Sequence, residues 1–268
     1  SSSSTLNSVT IQKDEYSGLS IPNGAFKNCG SLKEIMIPNV QGATKNKVLP
    51  ASLFADAKNV NVFKVEGDSN SGQEGILDLR NTEYESIESS AFQNRTGITQ
   101  ILLPDSRISI GSNSFNGCTG LSSLTCGSGL KTIGDYAFNG CSKLQSLHLD
   151  DALRTIGSHA FNGCTGLKEL KLNEGLETIG GSAFEKCTSI TSVTIPSTVN
   201  SIGSRAFCSG NSNSGSLKEL IFEDGCKLTS IPEKFVQYQP LTSLSLPSRI
   251  ETIGKNAFSS TKIKALDL

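Results

Sequence analysis

The residue types in this 268-residue chain with the most chemical reach are eight cysteines and two histidines. Eight thiols in an exported chain would ordinarily suggest a disulfide framework, and thiols or imidazoles at short spacing would suggest zinc. The spacing favours neither. Cys118, Cys141, Cys164 and Cys187 follow one another at intervals of 23, with Cys29 upstream, and there is no C-x-x-C or close Cys/His pair. Side chains repeated at a constant interval in stacked copies point the same way, so these five are expected as parallel, reduced thiols in a core, where free Cys acts as a small apolar group. Cys208 and Cys226 fall outside the column and bracket a strand near 217–222, which makes them the one pair placed to form a bridge. His148 stands just before Asp150 and Asp151 among Ser and Thr residues, the ingredients of a hydrolase. Nucleophilic catalysis needs a nucleophile, a base and an orienting acid in contact, and no G-x-S-x-G elbow, H-E-x-x-H pair or phosphate-binding Gly-rich loop occurs. No catalytic residue, cofactor or metal site is expected, and the chain reads as non-enzymatic.

These residues are positioned by a repeat. Residues 130–152 read LKTIGDYAFNGCSKLQSLHLDDA, 153–175 read LRTIGSHAFNGCTGLKELKLNEG and 176–198 read LETIGGSAFEKCTSITSVTIPST. Phe92, Phe115, Phe138, Phe161, Phe184 and Phe207 recur at a constant interval of 23, and Phe26, Phe54, Phe235 and Phe258 extend the column to ten copies. The steps from Phe26 to Phe54 and from Phe207 to Phe235 are longer, at 28, and that from Phe54 to Phe92 is 38, so insertions of 5, 5 and 15 interrupt the unit. Within a copy, a segment such as L-K-E-L-K-L ends in the alternation of a strand with one buried face. The segment I-G-S-H-A-F-N-G-C carries Gly and Ser for turns, with Ala, Phe and Cys spaced like a short helical turn facing inward. One unit cannot bury its own apolar face, but stacking sets each Phe on its neighbour and each strand beside the next. The expected fold is a right-handed, β-rich solenoid of about ten 23-residue units, with a parallel sheet on one face. Residues 1–5 are expected as a linker and 6–268 as one solenoid domain.

The pattern L-x-x-I-x-x-x-A-F-x-x-C-x-x-L-x-x-L-x-L-P resembles the BspA-like, or Treponema pallidum type, leucine-rich repeats (in class terms α/β by leucine-rich-repeat convention) over roughly 6–268. Pro follows the strand at Pro38, Pro104, Pro196 and Pro247. The resemblance implies a secreted or surface-displayed protein used for adhesion to host proteins, such as extracellular matrix, or to other microbial surfaces. The column's Cys is replaced by Ala57, Arg95, Gly210, Tyr238 and Thr261 in the other copies, which argues for a space-filler rather than a cluster ligand.

With 24 basic and 25 acidic side chains, the chain has no basic field to hold a phosphate backbone, and no apolar run is long enough to insert in a membrane. The resemblance implies a protein as partner, and the outward strand positions are where it would sit. One outward column runs Glu34, Val62, Gln100, Ser123, Ser146, Glu169, Ser192, Glu219, Ser243, Ala265; the other runs Met36, Lys64, Leu102, Thr125, His148, Lys171, Thr194, Ile221, Ser245, Asp267. Met36, Lys64, Leu102, His148, Lys171 and Ile221 are the candidate partner-binding residues, with Met36, Leu102 and Ile221 as apolar anchors. A surface spacer with an idle sheet is the alternative, and carbohydrate binding a third, disfavoured by the absence of Trp and of aromatic residues in either column. Acids at Asp105, Asp150, Asp151, Glu174, Glu223 and Asp224 form a rim after the strands that suits solubility, a basic partner or Ca²⁺. The inserted Ser-, Asn- and Gly-rich segments around 67–75 and 211–215 read as loops. The chain starts without Met or an export segment and ends on a strand without a cap, so it reads as a trimmed piece of a longer polypeptide.

Overall fold

The computed structural model describes residues 6–10, 26, 29, 31–40, 42, 47–51, 54, 57, 59–211, 214–264 and 266–267. The expected linker 1–5 and the column member Ala265 lie outside them. Among the described residues there is no α-helix; the chain winds as a solenoid of parallel strands. The outward columns are in the register the repeat dictates. Glu34 pairs with Val62 and Met36 with Lys64, Gln100 pairs with Ser123 and Leu102 with Thr125. Further along, His148 pairs with Lys171 and Thr194 with Ile221. In most of these strands the intervening residue, such as Leu147 or Val193, is buried, and in Glu169–Lys171 Leu170 is half-buried, which is what a period of two does to a sheet with one covered face.

The T-I-G segment at the start of each copy forms a second parallel ladder. Val48–Leu49, Ser86–Ile87, Ile108–Ile110, Leu130–Ile133, Thr155–Ile156, Thr178–Ile179 and Ser201–Ile202 pair in sequence as one seven-stranded sheet. The Ile of each pair is buried and its Thr or Ser faces out, giving a row of β-favouring hydroxyl residues. The following Gly lets successive copies close up: a Cβ on Gly180 would collide with the backbone of Gly157 and Ser158 in the copy before.

The Ala-Phe-Cys segment is a wall of turns, not a helix. Its amides alternate: His159, Phe161 and Gly163 donate to Gly181, Ala183 and Glu185 of the next copy, while Ala160, Asn162 and Cys164 donate back within their own, to Gly157, His159 and Phe161. The alternation requires left-handed backbone, and Tyr136, His159, Ser182 and Arg205 all have φ of 54–60° at the same place in their copies. Their side chains differ in type and in exposure, from buried Ser182 to exposed Tyr136 and Arg205; the backbone geometry is what repeats.

The core is a stack of rings. From Phe92 to Phe207 successive rings lie 5.1–5.4 Å apart within 7° of parallel, just where the copies keep their regular length. At the longer steps the stack breaks: Phe207 meets Phe235 at 83°, and Phe54 meets Phe92 at 37°. An insertion shifts the path of the turn, and the ring following it no longer repeats its neighbour's pose. Each buried Phe contributes about 1.5–3 kcal/mol of apolar burial.

The longest insertion is built structure. It forms a hairpin folded back antiparallel on Val62–Val65, with Gly72 N donating to Phe63 O at 3.1 Å, Gly75 N to Asn61 O at 2.6 Å and Val65 N to Ser71 Oγ at 2.7 Å. It then supplies an extra face strand, Ile76–Asp78, that pairs with Gln100–Leu102. The second sheet has no matching member, since Val48–Leu49 pairs directly with Ser86–Ile87.

Candidate binding face

Four of the six sequence-selected face residues are exposed or half-buried on the face and two are modified by their surroundings. Ile221 is 46% exposed and borders a shallow cleft of about 360 Å³ formed with Ser243 and Ser245 of the next copy. His148 and Lys171 are exposed neighbours on adjacent strands, and Met36 is half-buried. Lys64 is held by an ion pair to Glu34 at 2.8 Å and lies against Gly72 of the hairpin. Leu102 corrects the expectation of an apolar anchor: it is only 9% exposed. The inserted segment is the reason. Leu102 sits at the floor of a cleft of about 450 Å³ walled by residues 70–73 and by Asp78 and Arg80. Asp78 is Leu102's strand neighbour, 5% exposed, and Arg80 folds back over it with a bidentate pair at 2.7 and 3.0 Å. Burial alone would raise the Asp78 carboxyl, but the Arg80 hydrogen bonds and charge outweigh it and hold the group below its usual range.

The thiols face inward. Cys118, Cys141, Cys164 and Cys187 donate to the carbonyl oxygens of Phe92, Phe115, Phe138 and Phe161 at 3.1–3.4 Å. Burial pushes Cys118 and Cys187 up to about 12 and also raises Cys141 and Cys164 well above the ordinary thiol range, so none is a thiolate near neutral pH. Cys208 and Cys226, the one pair that the sequence places to form a bridge, are both free thiols. Cys208 Sγ accepts from Gly210 N at 3.4 Å in the turn wall, whereas Cys226 follows the face strand Glu219–Phe222 and sits 3.9 Å from Val199 O. Each is engaged at a different corner of its turn. Among the described residues no group of three or more His, Cys, Asp or Glu is placed to hold a metal. His148 makes no hydrogen bond there to a hydroxyl or carboxylate, and His159 stacks on Tyr136 at 4.6 Å on the turn wall. No helix among the described residues is long and apolar enough to cross a membrane.

One feature of the face escaped the sequence columns. Past the ends of Ser123–Thr125, Ser146–His148 and Glu169–Lys171 lies a cleft of about 620 Å³ lined by residues 124–126, 148–151 and 171–174. It opens where three consecutive copies carry Gly127, Asp150 and Asn173 in place of the Pro found at Pro104 before them and Pro196 after them. That run of missing prolines is the signal that marks it in the sequence.

A model of the BspA type leucine rich repeat region matches the chain in six copies over residues 1–72, 85–213 and 209–268. The fold is also found in solved structures. A leucine rich cell surface protein of Faecalibacterium prausnitzii is 22% identical with a TM-score of 0.51, over 97% of this chain and 72% of that one. A leucine-rich repeat protein of Bacteroides ovatus is 20% identical with a TM-score of 0.63, over 97% of this chain and 57% of that one. The leucine rich repeat protein of T. pallidum is 22% identical with a TM-score of 0.48, over 83% of this chain and 78% of that one. No curated protein matches the chain.

Proposed function

The chain belongs to the BspA-type leucine-rich repeat family, and on that premise we propose that it is a non-enzymatic protein-binding module that engages its partner with the strand face, displayed at a cell surface or secreted. The observation that carries this reading is the division of labour along each face strand. Buried residues such as Ile35, Leu147 and Val193 serve the core, while their outward neighbours are held in register on a parallel ladder and serve nothing inside. Such a surface is preorganised, so little conformational entropy opposes binding there. Surface display is supported by the likeness of fold to the Faecalibacterium prausnitzii protein described as a leucine rich cell surface protein.

Interface energy concentrates in a few well-packed side chains. Ile221, exposed at 46% beside a cleft, and Met36 are the apolar members of the outer column that remain accessible. The test is binding of the purified chain to a panel of immobilised extracellular-matrix proteins and intact cells, beside Ile221→Lys and Met36→Lys. Saturable binding that weakens about tenfold or more in either variant, with unchanged melting temperature, is the expected result. Failure of the wild-type chain to bind across the panel would replace this reading with that of a surface spacer.

A further inference from the structure

The cleft at the ends of the three central face strands has a composition that specifies its ligand. Its floor is apolar, made by Leu124, Leu149 and Leu172, all buried at 8% exposure or less. Its outer wall carries Asp150, Asp151 and Glu174, all exposed. None of the three carboxylates has a cation within ion-pairing distance among the described residues. The nearby basic side chains are committed or on the other side: Arg154 is 3.7 Å from Glu177 and donates to the backbone of Asp151 and Gly175, while Lys171 and His148 line the strand side of the cleft.

Asn173 supplies an independent observation. It lines the cleft yet is only 4% exposed. Its Nδ2 donates to Leu153 O at 3.0 Å, and its Oδ1 is buried with no donor. A buried acceptor left unpaired is costly, and a donor entering the cleft would complete it. The acidic crowding acts in the same direction. The Glu223 carboxyl beside Glu174 raises the Glu174 carboxyl above its usual range, with desolvation and the charges of Glu223 and Asp151 adding to the rise. Acceptors and negative charge around an apolar floor match a side chain that has an aliphatic stem and a hydrogen-donating cationic head.

We propose that this cleft receives a lysine or arginine side chain of the bound protein partner, its stem on Leu124, Leu149 and Leu172 and its head among Asp150, Asp151, Glu174 and the Asn173 carbonyl oxygen. The proposal rests on the protein-binding reading of the chain and names the chemistry that the partner brings to this part of the face. Volumes of this size are those of ordinary ligand sites, enough for a side chain together with its flanking backbone.

The test is an NMR titration of the isotopically labelled chain with acetyl-Gly-Lys-Gly-amide and acetyl-Gly-Arg-Gly-amide, with the Gln tripeptide as control. The expected result is saturable shifts at the backbone amides of Asp150, Asp151 and Glu174 and at the Asn173 side-chain amide, with the Gln peptide silent. Asp151→Asn and Glu174→Gln are each expected to weaken the basic peptides about fivefold or more, 0.5 M NaCl to do the same, and Glu251→Gln, on another wall, to change nothing. Absence of saturable shifts with both basic peptides would overturn the proposal. So would saturation by spermidine without the peptides, which assigns the cleft to a free amine, or saturation by Ca²⁺ that displaces the peptides. Because the probes are tripeptides, a negative panel of proteins and cells sinks the protein-binding reading without touching this result, and a negative titration sinks the cleft alone.

Discussion

Four thiols and two unrelated side chains do one job in this core. Cys118, Cys141, Cys164 and Cys187 each donate to the carbonyl of the Phe one copy earlier. In copies without that sulfur, the Arg95 guanidinium reaches the Phe54 and Ala57 carbonyls and Gln239 Nε2 reaches Phe207 O at 2.7 Å. The column's tolerance, which in the sequence looks like mere space-filling, thus includes copies in which another side chain supplies the donor, while Ala57 and Gly210 bring no side-chain donor of their own. Cys164→Ala removes the donor and a little volume and is expected to cost about 1–2 kcal/mol, with Cys164→Ser costing less because its hydroxyl keeps the bond. Denaturant unfolding of the three proteins checks this. In the folded state Cys118 and Cys187 titrate near 12, above the value of about 9 for a free thiol, so the fold favours the protonated form. Their contribution is complete below about pH 9 and is lost as pH rises from there towards 12, by about 1.4 kcal/mol per unit for each thiol. Melting temperature is accordingly expected to fall steeply above pH 9, and Ellman's reagent to leave these thiols untouched until the chain unfolds. A melting curve flat to pH 11 would contradict the burial argument.

The elements were legible to different degrees, for reasons that lie in their length and marking. Face strands announce themselves because L-x-L alternation recurs once in every copy, and their register follows from the Phe column without further information. The second ladder is only two residues wide in most copies, such as Thr155–Ile156, and such a pair has no periodicity to read. The extra strand Ile76–Asp78 lacks a Phe and a turn segment of its own, so a reading keyed to the Phe column does not pick it out. Its Leu77 is fully buried opposite Ile101, which shows that I-L-D-L is a face strand without the rest of its copy. Leu102 departs from expectation for the same reason: its outward position is correct, but nothing in the repeat pattern signals the hairpin that covers it. The hairpin closes at Gly75, where φ is 75° and a Cβ would lie 2.8 Å from Thr99 Oγ1 and 2.9 Å from Gly97 O. Gly75→Ala is expected to destabilise the protein by about 1–3 kcal/mol through left-handed strain and backbone crowding. Its chemical denaturation midpoint, compared with that of Gly72→Ala, which meets only the flexible Lys64 side chain, measures the difference.

At the scale of the molecule, stability passes from copy to neighbouring copy through the ring stack and the two ladders. Phe161 lies between Phe138 and Phe184 at 5.2 and 5.4 Å, so Phe161→Ala opens a cavity that both neighbours feel. A loss of about 3–5 kcal/mol is expected, read by urea unfolding, with the rings on either side losing their parallel contacts. The three outer walls have different duties. The turn wall spends its amides on joining copies, the second sheet shows a row of hydroxyls, and the face sheet presents varied side chains on a fixed register. On the proposed function, binding is confined to the face sheet. One substitution on each wall tests it most directly: Ile221→Lys on the face, Ser201→Lys on the second sheet and Tyr136→Lys on the turn wall, all at exposed positions, measured against the same immobilised partner. The face variant is expected to lose about tenfold or more in affinity and the other two to bind as wild type; loss confined to Ser201→Lys or Tyr136→Lys, with Ile221→Lys unaffected, would contradict binding by the face sheet.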